Sequence, residues 1–372
     1  MNQISKRQMA LLLFCFLSGS SIINVPTPII DAAGNGAWLS VWFAYASGLV
    51  LVAIILYLER RFPGLTFFDY SQVLVGKFFA IVLTIPMLLV IMMLVPYIVL
   101  DIGGFFSSTM LQSTPPLVIH FSFLLLACLT ARAGIVVMVR MFLVLITVLL
   151  GFVLITLFLA TPSYHPEYLL PIIPEGINPV LHGAYIHFGF PYAEVIFFTT
   201  ILPLAHRDNK HSLGKLLFGV LFLYGLLISI VIVCSIMALG PLAGTAKFSL
   251  FTLARLISLQ EIIERIESTI GMALIVGSYM KTTITLFILS KTFANLLNSQ
   301  HAKQYMIPLS SLSLLLTMTM FRNESEFTET ILVVWPMLVT TFCVIPLMVV
   351  AIVSLFRKKA GSKKSINTYE NL

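Results

Sequence analysis

Charge is scarce in this chain. Lys, Arg, Asp and Glu together make up 10% of the 372 residues, too few ionised groups to keep a globular surface of that size in water. Cysteine is equally thin. Cys15, Cys128, Cys234 and Cys343 fall singly in separate apolar stretches, which excludes a disulfide framework and a thiolate metal cluster and leaves four small core residues. The seven histidines contain no His-x-x-x-His pair, so the helical zinc motif is missing as well. Nor is there a glycine-rich nucleotide loop, a nucleophile–base pair or a carboxylate dyad. The expectation is a protein that is not an enzyme and carries no cofactor or metal.

What is abundant is apolar. Hydrophobic residues reach 59% and the mean hydropathy is +1.02, values that call for lipid as the solvent. A hydrocarbon core of roughly 30 Å takes about 20 helical residues to cross, and runs of that kind recur along the whole chain. The short alternating segments of a spanning barrel are missing. Spans are expected near 8–30, 37–58, 78–102, 117–131, 135–160, 182–204, 213–239, 268–297, 305–321 and 329–356, giving an all-α membrane protein of about ten helices. Residues 1–360 read as one polytopic domain and 361–372 as a cytoplasmic tail without structure. The apolar run resumes at Ile22-Ile23 after Ser18-Gly19-Ser20-Ser21, which favours a retained first helix over a cleaved signal peptide. From Phe248 to Ser268 apolar residues at helical spacing alternate with Arg255, Glu261, Glu264, Arg265 and Glu267. That segment is expected as an amphipathic helix on the outer face, lying in the interface or over a pocket.

Orientation follows from lysine and arginine, which are retained on the cytoplasmic side of a span. With both termini inside, the inner segments hold Lys6-Arg7, Arg60-Arg61, Lys77, Arg132, Lys215, Lys303 and the Arg357-Lys358-Lys359 tail. The outer segments hold only Lys247, Arg255, Arg265 and Arg322. The formal charge of +7 thus faces anionic headgroups, and no nucleic-acid partner is needed to explain it.

Two spans look interrupted. In the first, Ser18, Gly19, Ser20 and Ser21 put four small residues among leucines and phenylalanines; in the sixth, Gly189, Phe190, Pro191 and Tyr192 combine a flexible residue with a proline that lacks a helix donor. Each alone is equally a packing surface or a proline kink. Their positions, first and sixth of ten, correspond if the spans form two sets of five, and interrupted segments at matching places point to a midplane binding site. Lys281 lies near the centre of span eight and Glu194 at similar depth in span six. A buried ion pair between them would spare both from isolation in lipid, whether its role is functional or only structural. Tyr97 sits deep in span three, so its hydroxyl needs a partner unless it serves as an interfacial anchor. With both breaks on one cavity, backbone N–H groups at Gly19–Ser21 suit a carboxylate and carbonyls near Gly189–Pro191 an ammonium. Tyr97, Tyr279 and Thr282 would form the side walls, and Phe190 and Tyr192 the apolar end.

Ten spans, the Ser18–Ser21 break, the segment Gly189-Phe190-Pro191-Tyr192-Ala193-Glu194 and the short basic tail resemble the B subunits of bacterial spore germinant receptors. These belong to the spore germination permease branch of the amino acid–polyamine–organocation superfamily. The resemblance implies a LeuT-like inverted-repeat fold with discontinuous helices one and six, in the inner membrane of an endospore. It also implies a small germinant, often an amino acid, as ligand, with A and C subunits as partners through which binding starts germination. Superfamily transporters carry Gly-x-Gly at the first break and many have twelve spans; this chain has Gly19-Ser20-Ser21 and about ten, so transport is the alternative function.

The charge distribution sets an expected labelling pattern. A reporter after Lys364 and a tag within Arg207–Lys215 should be cytoplasmic, and tags within Pro166–Pro179 and Gly244–Lys247 should react with impermeant reagent from outside. A protected Pro166–Pro179 loop would overturn this orientation.

Overall fold

A computed structural model describes residues 3–173, 176–206, 212–257 and 266–357. Eight helical segments among them are long and apolar enough to cross a membrane. One of these, Pro26–Arg61, contains the second half of span one together with span two. Two further crossings complete the ten spans. Span six runs Asn178–His187, breaks, and continues as a tight 3-10 turn series Ala193–Thr200. Span nine, Ala302–Thr319, opens with the polar Lys303 and Gln304 and carries Pro308. Because five is an odd number, the second set of five spans enters the membrane from the face opposite to the first.

Local chemistry explains where the helices start and stop. Ser5 and Gln8 form a capping box at the head of span one, with the Gln8 N–H donating to Ser5 Oγ at 3.2 Å and the Ser5 N–H to Gln8 Oε1 at 2.7 Å. Thr66 and Asp69 repeat the device on the short helix Phe67–Val75. That helix meets span three, Lys77–Thr109, at Gly76, whose φ of +87° turns the chain where an L side chain would be strained. Gly134, at φ +100°, does the same between span four, Pro116–Ala133, and span five, Ile135–Leu159. This single residue is why spans four and five read as a poorly separated pair in the sequence.

Span eight, Glu267–Leu296, is the axis of the bundle. In its 18-residue apolar stretch 83% of residues are buried, against 28% for span four, so span eight is wrapped by protein while span four faces lipid. Spans one, three and five pack directly against it. Its approach to span one is close: a Cβ added at Gly277 would lie 2.1 Å from the Gly19 carbonyl oxygen, and one at Gly19 would lie 2.9 Å from Lys281 Cβ. Only glycine fits on either side, the small-residue contact that lets membrane helices touch backbone to backbone.

At the end of the bundle that carries Lys6, Arg61 and Lys77 the structure is stitched shut. The Ile4 N–H donates to the Leu204 carbonyl at 3.0 Å and the His206 N–H to the Ile4 carbonyl at 2.7 Å, an isolated parallel bridge joining the start of span one to the end of span six. Arg357, past the end of span ten, donates to the Val73 carbonyl at 3.0 Å and accepts from Arg61.

The segment expected as an amphipathic helix is described only in part. Among the described residues of this segment a helix covers Ser249–Arg255, with Leu250 and Leu253 fully buried against spans seven and eight, so this part packs into the protein. Span eight already begins at Glu267; the stretch 258–265, like the tail beyond residue 357, lies outside the described residues.

The glycine contact supplies a stability test. Gly277→Ala should lower the thermal unfolding temperature in detergent, by the equivalent of about 1–3 kcal/mol for overpacking against backbone. Gly151→Ala, in span five with open space around it, should not. Equal behaviour of the two variants would show that spans one and eight are not in contact there.

Candidate functional site

Span one leaves helical geometry at Gly19, with φ −18° and ψ −113°, and resumes as the turn Ser21–Asn24 and the helix Pro26–Ala33. The Ser21 hydroxyl donates to the Leu17 carbonyl, supplying a donor where the break interrupts the ladder. Span six breaks at Phe190, whose backbone is extended (φ −140°, ψ 110°) ahead of Pro191. His187 stabilises this second break, its Nδ1 lying 3.2 Å from the Phe190 carbonyl. A carbonyl only accepts, so Nδ1 carries the proton.

Between the two breaks lies the ion pair. Lys281 Nζ sits 2.7 Å from Glu194 Oε2, with both side chains fully buried. The other carboxylate oxygen accepts from Trp335 Nε1 at 3.0 Å. The ammonium also faces the rings of Phe190, 3.8 Å from the centroid, and Phe16, at 4.9 Å. Two opposite charges, an indole donor and two π faces thus form a net-neutral unit in a place where water is excluded.

Above this unit is a cavity of about 850 Å³. It opens at the end of the bundle opposite the stitched one, at Asp31, Gly244, Lys247 and Arg322, and reaches down to Ser20, Tyr97, Phe190 and Trp335. Ser20 and Phe190 bring one residue from each break into the same cavity. Asn24 and Asp101 cross its side, where Asn24 Nδ2 donates to Asp101 Oδ2 and ties span one to span three. No cluster of three His, Cys, Asp or Glu side chains among the described residues is placed to hold a metal ion.

The structure separates the residues singled out in the sequence into two groups. Ser20, Tyr97 and Phe190 line the cavity. The others are placed elsewhere. Ser18, Gly19 and Ser21 are buried in the contact of span one with its neighbours, and Gly189 abuts Pro336, whose Cβ would lie 2.4 Å from an added Cβ. Pro191 is buried within the break. Tyr192 turns away from the cavity into a cluster with His187, at 5.0 Å between ring centroids, and Tyr224, at 5.4 Å, occupying space that Gly48 leaves open. Tyr279 is hydrogen bonded to Thr130 of span four and packs edge-on to Phe142 of span five, so it faces the outer scaffold; Thr282 is buried on span eight away from the lining. Helical phase is the reason: Lys281 points toward spans one and six, and side chains one or two positions away point elsewhere.

Sequence reasoning missed Trp335, Asn24 and Asp101. Asp101 carried a usable signal, a carboxylate within the apolar run of span three, and the rule that selected Glu194 applies to it equally. Trp335 gave only a weak one, since a tryptophan in a membrane span is ordinarily an interfacial anchor.

The sequence matches the family described as Spore germination protein over residues 3–327. Spore germination protein KB of Bacillus subtilis (strain 168) is 24% identical over 367 residues, 97% of each chain. Spore germination protein YndE of the same organism is 20% identical over 244 residues, 65% of each chain. Among solved structures, the crystal structure of MhsT in complex with L-phenylalanine is similar with a TM-score of 0.63 at 15% identity, covering 95% of this chain and 99% of that one. The likeness is one of fold, and it gives the chain the LeuT-like arrangement of ten spans.

The ion pair is open to a direct test. Glu194→Gln and Lys281→Met each strand one buried charge or its partner, and each should cost on the order of 3–5 kcal/mol of stability. The double variant should cost clearly less than the sum, read as unfolding temperature or detergent survival. Strict additivity would mean that the two groups do not interact.

Proposed function

The chain belongs to the spore germination protein family, and from that membership we propose that it is the germinant-sensing membrane subunit of a spore germination receptor. It binds a small ligand, an amino acid or a close relative, in the midplane cavity and signals through A and C partner subunits. The observation that carries this reading is that a single cavity touches both interrupted spans and ends directly above a charge-neutral ion pair. Interrupted spans at corresponding positions are where solutes bind in membrane proteins of this shape. Ser20 offers a hydroxyl at the floor and Asp101 a carboxylate on the wall, polar groups for the two ends of a zwitterion, with aromatic surface between them.

In this reading the protein resides in the inner membrane of the endospore with both termini in the cytoplasm, and the cavity opens outward. A ligand arriving from outside then meets Lys247, Arg322 and Asp31 at the mouth before the floor. Shape changes at the floor bear on the Glu194–Lys281 unit because Phe190 and Trp335 belong to both. The second reading, a secondary transporter, draws support from the LeuT-like fold and from the closure of one end while the other is open.

Spores carrying Tyr97→Ala or Ser20→Leu, at receptor levels matched to the parent, should need at least about tenfold more germinant for half-maximal germination, or respond to a different one. Unchanged dose–response curves for both would remove the cavity from the function. Uptake of labelled amino acid by the purified chain in proteoliposomes, absent from protein-free vesicles, would favour the transporter.

A further inference from the structure

One wall of the cavity is built almost wholly of rings. Tyr97 of span three stands 5.2 Å from Trp335, 5.6 Å from Phe321 and 6.1 Å from Phe327, and the two phenylalanines lie 5.3 Å apart. Phe190 closes the floor. Tyr97 and Trp335 are buried within this wall. Phe190, Phe321 and Phe327 are only half-buried, so their ring surface stands open to the cavity. Exposed apolar surface in a concave site is a standing cost that a matching apolar ligand removes.

The wall is also held in place from behind. Trp335 donates its indole N–H to Glu194, so its ring cannot swing away without leaving a carboxylate oxygen unpaired in the protein interior. Around Trp335–Val339 span ten is interrupted by two wide turns, Thr330–Val334 and Thr340–Val344, which set this short helical piece against the span six break. Preorganised rings of this kind favour a ligand whose body offers ring edges and faces in return.

Resting on the ligand-binding role given above, we propose that the cavity selects a ligand with an aromatic or similarly large apolar body. That body is seated against Phe321 and Phe327 over Phe190, with Tyr97 and Trp335 packed behind, and small ligands are discriminated against. A cavity of about 850 Å³ leaves most of its wall wet around a ligand the size of alanine or glycine. An aromatic side chain brings roughly 150–250 Å² of surface. Burying it corresponds to an affinity gain on the order of a hundredfold or more over a methyl group.

The chain contains its own reporter, because Trp335 is one of only three tryptophans. In a Trp38→Phe/Trp42→Phe background its emission reads the wall alone. Titration of the purified full chain with L-phenylalanine and L-leucine should give a saturable change at concentrations about a hundredfold below those needed for L-alanine or glycine. Phe327→Ala should weaken phenylalanine at least about tenfold and leave alanine unaffected. The same panel, read as thermal stabilisation of the unsubstituted chain, covers the case in which the reporter background folds poorly or its emission is insensitive. Alanine or glycine binding as tightly as phenylalanine overturns the selectivity and leaves the germinant-binding reading intact. An absence of saturable binding by any amino acid in both measurements overturns both.

Discussion

An ammonium ion cannot sit alone in the middle of a membrane protein, and much of this architecture follows from where Lys281 finds its counter-charge. The carboxylate comes from Glu194, one turn after the break in span six, so the ion pair fixes span eight against span six at the depth where span six is least regular. The indole of Trp335 supplies the remaining hydrogen bond and draws span ten into the same cluster. Span one is admitted by the absence of side chains at Gly19 and Gly277, and its Phe16 ring covers the ammonium. Four spans thus meet at one net-neutral group. A buried pair of this kind gives little net stability over an apolar packing, but it penalises every arrangement that separates its members.

That arrangement places chemistry and shape in register. The cavity above the pair is mixed in character, lined by an acid, an amide and aromatic rings, and its floor residues Phe190 and Trp335 contact the pair directly. Phe190 and Trp335 touch both the cavity and the pair, so displacing either ring changes the surroundings of both charges.

How much of this was legible in the sequence differs by element. The broken spans announced themselves because serine, glycine and proline are conspicuous against leucine and isoleucine, and the partnership of Glu194 with Lys281 followed from the cost of leaving either alone in lipid. The wall of the cavity did not announce itself. Tyr97 stood out for its polar tip, whereas Phe321, Phe327 and Trp335 are indistinguishable by type from the many aromatics that face lipid. Tyr192 belongs to the span six break and Tyr279 neighbours Lys281 in span eight, which in the sequence points both at the cavity, yet the structure turns one toward Tyr224 and the other toward Thr130. The course of span ten was hidden for a related reason: wide turns leave no mark in composition, and Thr330–Val344 reads as an ordinary apolar helix.

The stitch between Ile4 and the end of span six has a consequence for the kind of vessel this protein is. The two broken helices are fastened to each other at the far end by the Ile4–Leu204 and His206–Ile4 bonds and by His206 Nδ1 to Gln3 Oε1 at 2.8 Å. At about 1 kcal/mol net for each bond, undoing all three costs about 3 kcal/mol and holds the unfastened form below about one molecule in a hundred. The cavity is therefore a well with a sewn bottom. A way through that end exists only on the rare occasions when the thread comes undone.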